Sequence, residues 1–447
     1  MKQKLLQLYF QIFGFLAKKY IKKHNPFVIG VTGSIGKTSS RMIISELLQQ
    51  TLPEKIISTS SKNFNGELGL SLSVLGISDY EPSFLSVVKT FLKAFYTSFF
   101  GEKKYDIIFL EYGIDHIGEM DFLLSIVKPD IGIVTKIDKV HSSQFESKEV
   151  IASEKYKLLQ STKELSFLNA DDEFAKKYES TLISNKIFYT TSGEPQTQQV
   201  DLKGLDYTLE TKDGGIVSSF YFESDVKNKT KIVSNLIGQE NIGYITIGLY
   251  IAEILNQKYY NQSFFSQIGE IFYIGFTLQY SRFSIFSGIE NSVLIDSSYN
   301  AAPESMKKVM ENFFLLSQKI YSNYEIILCL GEMRELGEYS KDEHEKLANF
   351  VKDKSKNIFV VGESMKKYFL PIVPNAIHFK NSKILGEFLQ EKLHKDKKKY
   401  IILFKGSQNT IFMEEAVKHI LLQEEDKKQI CRQEDFWMEK KNKFFDK

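Results

Sequence analysis

The sequence predicts an α/β protein with a larger central domain on a mostly parallel sheet and a smaller, Rossmann-like C-terminal domain. Three observations carry that expectation. From Phe27 onward short apolar runs alternate with helix-patterned segments, the order that parallel strands with crossover helices require. A glycine-containing turn lies between the first apolar run and the first such helix. A second series of strands and helices begins near Ser287. The expected boundaries are an amphipathic helix over residues 1–25, the central domain over 26–285 and the C-terminal domain over 286–447.

At 447 residues the chain can hold two or three domains, each with its own core. A content of 43% hydrophobic and 26% charged residues is ordinary for a globular protein, and a formal charge of +2 leaves no electrostatic reason for a nucleic-acid partner. The two cysteines, Cys329 in an apolar run and Cys431 near the end, cannot form a metal cluster alone. They point to a reducing cytosolic setting and not to a disulfide framework.

The segment MKQKLLQLYFQIFGFLAKKYIKK is apolar from Leu5 to Ala17 apart from Gln7 and Gln11, with lysines at both ends. It is shorter than the ~18–20 apolar residues of a membrane span and lacks a small-residue cleavage site. It is expected to lie on something, either the domain that follows or a membrane surface. Residues 27–29 read as a strand and 42–50 as a helix. Residues 107–110 and 131–134 are buried strands ending on polar residues, where parallel strands place ligand contacts. Helices follow at 120–127, closed by Pro129, and at 148–160. Residues 196–225 are polar and turn-rich, as in an antiparallel appendage, and 242–255 form a helix with too little charge to be exposed. In the second series 292–297, 325–330, 356–362 and 400–404 read as strands and 304–314 as a helix. The tail from Gln423, with the sole tryptophan Trp437, is a docked helix or a frayed end.

Residues 31–40, VTGSIGKTSS, carry the chemistry. Backbone N–H groups around Gly33, Ser34, Ile35 and Gly36 can wrap a triphosphate. Lys37 adds a charge, Thr38 a hydroxyl for Mg²⁺, and the N-terminus of the next helix a favourable dipole. Val31 stands where the strict G-x-x-x-x-G-K-[ST] spacing has its first glycine, so the preceding strand and following helix support the assignment. The central domain is therefore expected to be a P-loop ATPase domain using ATP or GTP. Glu111 ends the strand at 107–110 and can reach a Mg²⁺ held by a loop on the neighbouring strand.

T-G-S-x-G-K-T-S resembles the nucleotide loop of the Mur ligases, ATP-dependent amide-forming enzymes of cell-wall peptide synthesis. EYGIDHIGEMDFL, from Glu111, resembles their E-x-G-x-x-x-x-G-E-[ILM] segment, which implies Glu111 as a Mg²⁺ ligand. Asn63-Phe64-Asn65-Gly66 with Gly69 and Leu72 resembles N-F-N-N-x-x-G-x-x-L of the D-alanyl-D-alanine-adding branch, with glycine at the fourth place. PDIGIVTKIDKVHSSQFESKEVIASEKYKLL resembles the stretch whose histidine binds a second Mg²⁺ and whose lysine is carbamylated to bridge it. These are His141 and Lys155 here, and Lys136 takes an asparagine's place.

Asn169-Ala170-Asp171-Asp172 matches N-A-D-D, and Gly238-Gln239-Glu240-Asn241 falls on G-x-H-N, which implies Asn241 as an adenine contact. Glu240 replaces the histidine and Tyr244 the second asparagine. Tyr280-Ser281-Arg282 and then LIDSSYNAAPESM resemble the hinge into the C-terminal domain, with Tyr280, Ser297 and Ala302 as departures. The resemblance implies that Arg282, Asp296, Tyr299 and Asn300 face the nucleotide when the domains close. LGEMRELGEYSKDEH, holding Glu335 and His344, and FKGSQNTIFMEEAV, with Gln408 for arginine, resemble two more family segments.

The resemblance runs from Phe27 to about Val417 and implies a ligase that forms an acyl phosphate with ATP and Mg²⁺, most like the D-alanyl-D-alanine-adding branch. It implies catalytic roles for Lys37, His141, Lys155 and Asn300, and nucleotide contacts from Gly33, Ser34, Gly36, Lys37, Thr38, Ser39, Asn241, Arg282 and Asp296. The implied Mg²⁺ ligands are Thr38, Glu111, His141 and Lys155. That branch carries a nucleotide-sugar-binding domain ahead of the loop, where this chain has 26 residues before Phe27, so the acceptor's uridine group is expected to matter less. Small-molecule or peptide substrates, a monomer and a cytoplasmic setting are expected. Peripheral membrane contact through 1–25 and 84–100 is a further possibility, since FLSVVKTFLKAFYTSFF holds five phenylalanines and two charges. Two other readings remain open: a ligase of other carboxylates, as in folylpolyglutamate or cyanophycin synthesis, and a nucleotide-binding partner subunit.

Overall fold

The computed structural model describes residues 2–59, 66–78, 84–138, 147–191, 200–225, 229–277, 280–408 and 410–446. Residues 63–65 and His141 lie outside the described residues. The first elements are α1 (Lys2–His24), β1 (Phe27–Thr32), α2 (Lys37–Thr51), β2 (Ile57–Thr59), α3 (Glu67–Val74), α4 (Phe84–Phe99) and β3 (Ile107–Glu111). Next come α5 (Glu119–Ile126), β4 (Ile131–Val134), α6 (Lys148–Gln160), β5 (Leu165–Asn169), α7 (Glu173–Glu179) and β6 (Asn185–Tyr189). They are followed by β7 (Lys203–Lys212), β8 (Gly215–Glu223), β9 (Thr230–Ser234), α8 (Glu240–Tyr260) and β10 (Ile271–Ile274). The second series is β11 (Ser284–Ser287), β12 (Val293–Asp296), α9 (Pro303–Lys319), β13 (Glu325–Gly331), α10 (Ser340–Val351) and β14 (Asn357–Val361). It ends with β15 (Ile377–Phe379), α11 (Ser382–Asp396), β16 (Tyr400–Lys405), α12 (Glu414–Ile420) and α13 (Asp435–Phe445).

The chain divides into two compact units. One comprises Met1–Thr208, Ser219–Asn235 and Gln239–Phe276, the other Leu209–Ser218, Leu236–Gly238 and Thr277–Lys447. The first is built on a parallel sheet of order β2-β3-β1-β4-β5-β6. Strands β1, β3, β4 and β5 are buried along their whole length, which is why they read as unbroken apolar runs. From β1 the chain builds β2 and β3 on one side and then β4 to β6 on the other. The order reverses at β1, and open α/β sheets bind ligands beyond the carboxyl ends of strands at such a reversal.

Helix α1 buries Phe13, Leu16, Ala17 and Tyr20, one face at helical spacing, among Leu70, Ile108, Leu110 and Leu123. A smaller sheet has the order β10-β9-β8-β7, and its β7–β8 turn is the two residues Asp213 and Gly214, both at positive φ. That turn chemistry specifies a tight antiparallel hairpin, as the polar, turn-rich stretch anticipated.

The second unit carries a sheet of order β11-β12-β16-β13-β14-β15, parallel except for edge strand β11. Its core joins Ile327, Phe359, Leu385, Ile402, Phe404, Val417 and Ile420. The tail is docked. Arg432 Nε and Nη2 donate to the Glu414 carboxylate at 2.8 and 2.6 Å, and Lys441 Nζ lies 2.9 Å from Glu414 and 2.7 Å from Glu415. Arg432 also donates to the carbonyls of Ser298 and Tyr299 at 2.8 Å each. Among the described residues no helix is long and apolar enough to cross a membrane.

Candidate active site

The phosphate loop leaves β1 at the sheet's reversal point and enters α2 at Lys37. Two glycines make its path possible. Gly33 has φ +147° and Gly36 φ +88°, a conformation that side chains strain to adopt. A Cβ on Gly33 would lie against Thr135 Oγ1, and one on Gly36 against Tyr244 Oη. The segment after β4 holds the loop from below. Ser34 N donates to Lys136 O at 2.7 Å, Ser34 Oγ to Asp138 O at 2.9 Å, and Thr135 Oγ1 to Ile35 O at 2.5 Å.

The N-A-D-D motif is the floor of this arrangement. Asn169 Nδ2 donates to Thr135 O at 2.7 Å, and Asp172 accepts from Ile137 N at 2.6 Å while capping α7 through Phe174 N. Asp171 accepts from Thr190 Oγ1 and from Thr191 N, both at 2.6 Å. These carboxylates organise backbone and are positioned to do so by the ends of β5 and β6.

Lys37 Nζ folds back onto the loop, donating to Gly33 O at 2.6 Å and Ser34 O at 3.3 Å. Burial lowers its pKa from the usual lysine value, opposed by Glu111 and Asp115. Register pairs Val31 of β1 with Glu111 of β3, bringing that carboxylate to the loop's side. Glu111 is buried and shared: Thr38 Oγ1 donates to Oε2 at 3.3 Å and Arg41 Nε to Oε1 at 2.5 Å. Thr38 and Arg41 are three residues apart on α2 and so share a face.

Lys155 sits on α6, whose first turn is capped by Ser147, and only 4% of it is exposed. Burial holds its pKa well below the usual lysine value. Lys37 repels it further, while Asp115 and Glu119 draw it back. Glu119 in turn shapes the turn between β3 and α5, accepting from Asp115 N at 2.7 Å and His116 N at 3.0 Å. Lys37, Lys155, Glu111 and Asp115 thus form one electrostatic group. Asn241 lies in the first turn of α8, one turn before Tyr244, whose buried phenol abuts Gly36.

In the second unit three motif segments converge at the carboxyl ends of the neighbouring strands β12, β16 and β13. Asp296 is fully buried, accepting from Ser281 Oγ at 2.5 Å and Ser298 N at 3.0 Å, and burial raises its pKa. The Arg282 guanidinium stacks 4.3 Å over the Tyr299 ring. Asn300 Oδ1 accepts from Ala301 N at 2.9 Å, and Lys405 Nζ donates to Asn300 O at 2.9 Å. His344 is buried, with Nε2 accepting from Met333 N at 3.0 Å and Nδ1 2.6 Å from Ser340 O. Burial lowers its pKa, so it is a neutral structural imidazole protonated on Nδ1.

Sequence reasoning did not single out Arg41, Asp115 or Thr135. The spacing of Arg41 from Thr38 was the available signal, because an arginine inside a helix otherwise reads as solvated.

A glycine-cradled phosphate loop, an adjacent carboxylate and a second α/β unit define a nucleotide-dependent enzyme with a separate C-terminal domain. The sequence pattern of the Mur ligase middle domain matches residues 31–251, and that of the Mur ligase glutamate ligase domain matches 281–408. The UDP-N-acetylmuramoyl-tripeptide–D-alanyl-D-alanine ligase of Rickettsia prowazekii is 28% identical over 387 residues, covering 85% of this chain and 75% of that protein. The ligase of the same name from Bacillus subtilis is 24% identical, covering 91% and 78%. The ADP complex of MurF ligase from Thermotoga maritima aligns with a TM-score of 0.69 at 20% identity, covering 92% of this chain and 83% of that one. MurF from Acinetobacter baumannii aligns with a TM-score of 0.68 at 18% identity, covering 91% and 79%. The chain belongs to the Mur ligase family. It is an ATP-dependent, carbon–nitrogen bond-forming ligase that uses Mg²⁺.

Proposed function

We propose that this chain joins the amino group of a D-alanyl-D-alanine-type dipeptide to a peptide carboxylate of a peptidoglycan precursor. The observation that carries the reading is the group Lys37, Thr38, Glu111 and Lys155 at the sheet's reversal point, in a family whose similar members bear that activity in their names.

The donors present suit Mg²⁺ with a nucleotide. That ion takes one or two carboxylates and fills its remaining positions with phosphate oxygens and water. Thr38 Oγ1 and Glu111 supply a hydroxyl and a carboxylate on one side of the loop. Among the described residues no group of three His, Cys, Asp or Glu is gathered to hold a metal alone. His141 and Lys155 are assigned to a second ion by the family motif. Bound Mg²⁺ supplies charge neutralisation for phosphoryl transfer.

The loop N–H groups from Gly33 to Ser39 hold the phosphates, and Lys37 leaves its carbonyl partners to meet them. An acceptor carboxylate oxygen attacks the γ-phosphorus, the bond to the β-phosphate oxygen breaks, and ADP departs with that electron pair. The dipeptide amine then attacks the acyl carbon, releasing phosphate with the C–O pair and losing a proton. Lys37 offsets the charge spreading over the transferred group. Asn241, Arg282, Asp296 and Asn300 take their nucleotide and phosphoryl roles from the family motif, Asp296 by holding the Ser281 turn through its hydrogen bonds. We propose that the protein works as a monomer in the cytoplasm, where ATP and precursor are available.

Lys155 is proposed to be carbamylated. Its amine, whose protonation burial and Lys37 disfavour, attacks CO₂ and loses a proton, giving an anion that Lys37 attracts. Under ¹³CO₂ the protein should show a carbamate carbon resonance that Lys155→Ala lacks, with activity of that variant partly restored by short carboxylates. A spectrum identical in both proteins removes the assignment.

Phosphate release tests the substrate. D-Alanyl-D-alanine should stimulate ATP hydrolysis only when a muramoyl-type peptide carboxylate is also present, and the peptide stripped of its nucleotide should retain part of that stimulation. Activity confined to folate or poly-amino-acid acceptors would replace this reading with the related carboxylate ligases.

A further inference from the structure

We propose that the outer face of α1 and α4 seats this protein on an anionic lipid surface, lying along the membrane plane without crossing it. The two helices pack side by side in the same direction. Phe13 meets Phe91, Lys19 Nζ lies 4.3 Å over the Phe99 ring, and Lys23 Nζ donates to the carbonyls of Phe99 and Gly101 at 3.1 and 2.8 Å. These contacts set Leu8, Ile12 and Phe15 of α1 level with Val88, Leu92 and Phe95 of α4. The buried face of α1 is Phe13, Leu16, Ala17 and Tyr20, and that of α4 is Thr90, Ala94 and Ser98. The level rows therefore point away from the core. They are exposed despite being apolar: Phe15 by 60%, Leu92 by 61%, with Tyr96 at 64% and Phe100 at 66%. A contiguous apolar face of this kind marks an interaction site.

Charge identifies the occupant. Lys18, Lys19, Lys22 and Lys23 on α1 and Lys89 and Lys93 on α4 flank the rows, and neither residues 7–24 nor 86–100 contain an acid. The whole chain is only +2, so this density is local. A second copy of the chain would bring the same lysines against themselves across a two-fold axis, whereas an anionic headgroup layer complements them. Paired apolar rows with lysines beside them match a helix pair sunk ~5–10 Å into the headgroup boundary.

The experiment is flotation of the full chain with vesicles of phosphatidylglycerol and phosphatidylcholine, or of phosphatidylcholine alone. Binding should favour the anionic vesicles by at least about tenfold, each lysine near the surface contributing roughly fivefold. Phe15→Glu/Leu92→Glu and Lys89→Glu/Lys93→Glu should each reduce it by about tenfold or more, with ATP turnover unchanged. Three results would overturn the proposal. One is absence of flotation at low salt. Another is flotation that the charge-reversed pair does not weaken, or that a folded Phe15→Glu/Leu92→Glu protein retains in full. The third is a dimer by light scattering that the apolar-face variant dissolves, which assigns the face to a second copy. Flotation is read without turnover, so loss of the ligase assignment would leave this result standing.

Discussion

Lys37→Ala is expected to bring ATP turnover to background, a loss on the order of 10²–10³-fold or more, while the protein remains folded. The ammonium is held by two loop carbonyls, Gly33 O and Ser34 O. Its removal leaves the sheet, the two positive-φ glycines and the Thr135 anchor in place. What disappears is the only charge the loop itself supplies to a transferring phosphoryl group. Steady-state turnover together with a circular dichroism melt checks both halves. Turnover equal to the parent protein would remove the phosphate-loop assignment.

The second large effect is structural. Arg432→Met should destabilise the C-terminal unit by about 3 kcal/mol, because it leaves the fully buried Glu414 carboxylate with Lys441 as its remaining cation. The same change removes the donors to Ser298 O and Tyr299 O. Arg432→Met/Glu414→Leu should lose less than the two single losses added together, since the carboxylate deprived of its guanidinium is then gone and Lys441 keeps Glu415. Trp437, the sole tryptophan, lies on α13 with its ring about 6.0 Å from the Arg432 guanidinium, so denaturant unfolding followed by its fluorescence reports this region. A shift below about 1 kcal/mol would place the pair among weak surface contacts.

Much of the architecture was legible because buried parallel strands are unbroken apolar runs and their helices are long. Residues 107–110 and 131–134 lie within β3 and β4, and 148–160 is the full extent of α6. Short or half-exposed strands were not legible. β2 has three residues, and β6 is buried only at Phe188 and Tyr189. Neither pattern rises above that of a loop. At the site, the loop's place between a strand and a helix, and Glu111 at a strand end, were readable in the sequence and are where the structure has them. The role of N-A-D-D as a floor under the loop was not, because it depends on which backbone groups the folded sheet brings near. Arg41 was hidden by its type, since burial of an arginine requires a partner that only strand register reveals. The tail read as a docked helix or a frayed end, and its attachment was not legible, since part of it is made to Ser281, Ser298 and Tyr299 more than a hundred residues earlier.

That attachment has a consequence for how the protein is made. Cys431 N donates to Ser281 Oγ, 150 positions earlier, and Arg432 completes the turn at Ser298 and Tyr299. On a ribosome, the strand β12 and the turn after it emerge long before the residues that fix them. The turn bearing Arg282, Tyr299 and Asn300 therefore acquires its final hydrogen bonds only when translation has passed residue 432. A chain released before residue 432 would contain every strand of the second sheet yet lack the bonds that fix this turn, and its Glu414 carboxylate would lack Arg432 and Lys441. Setting this part of the candidate site is thus tied to the emergence of residues 431 and 432.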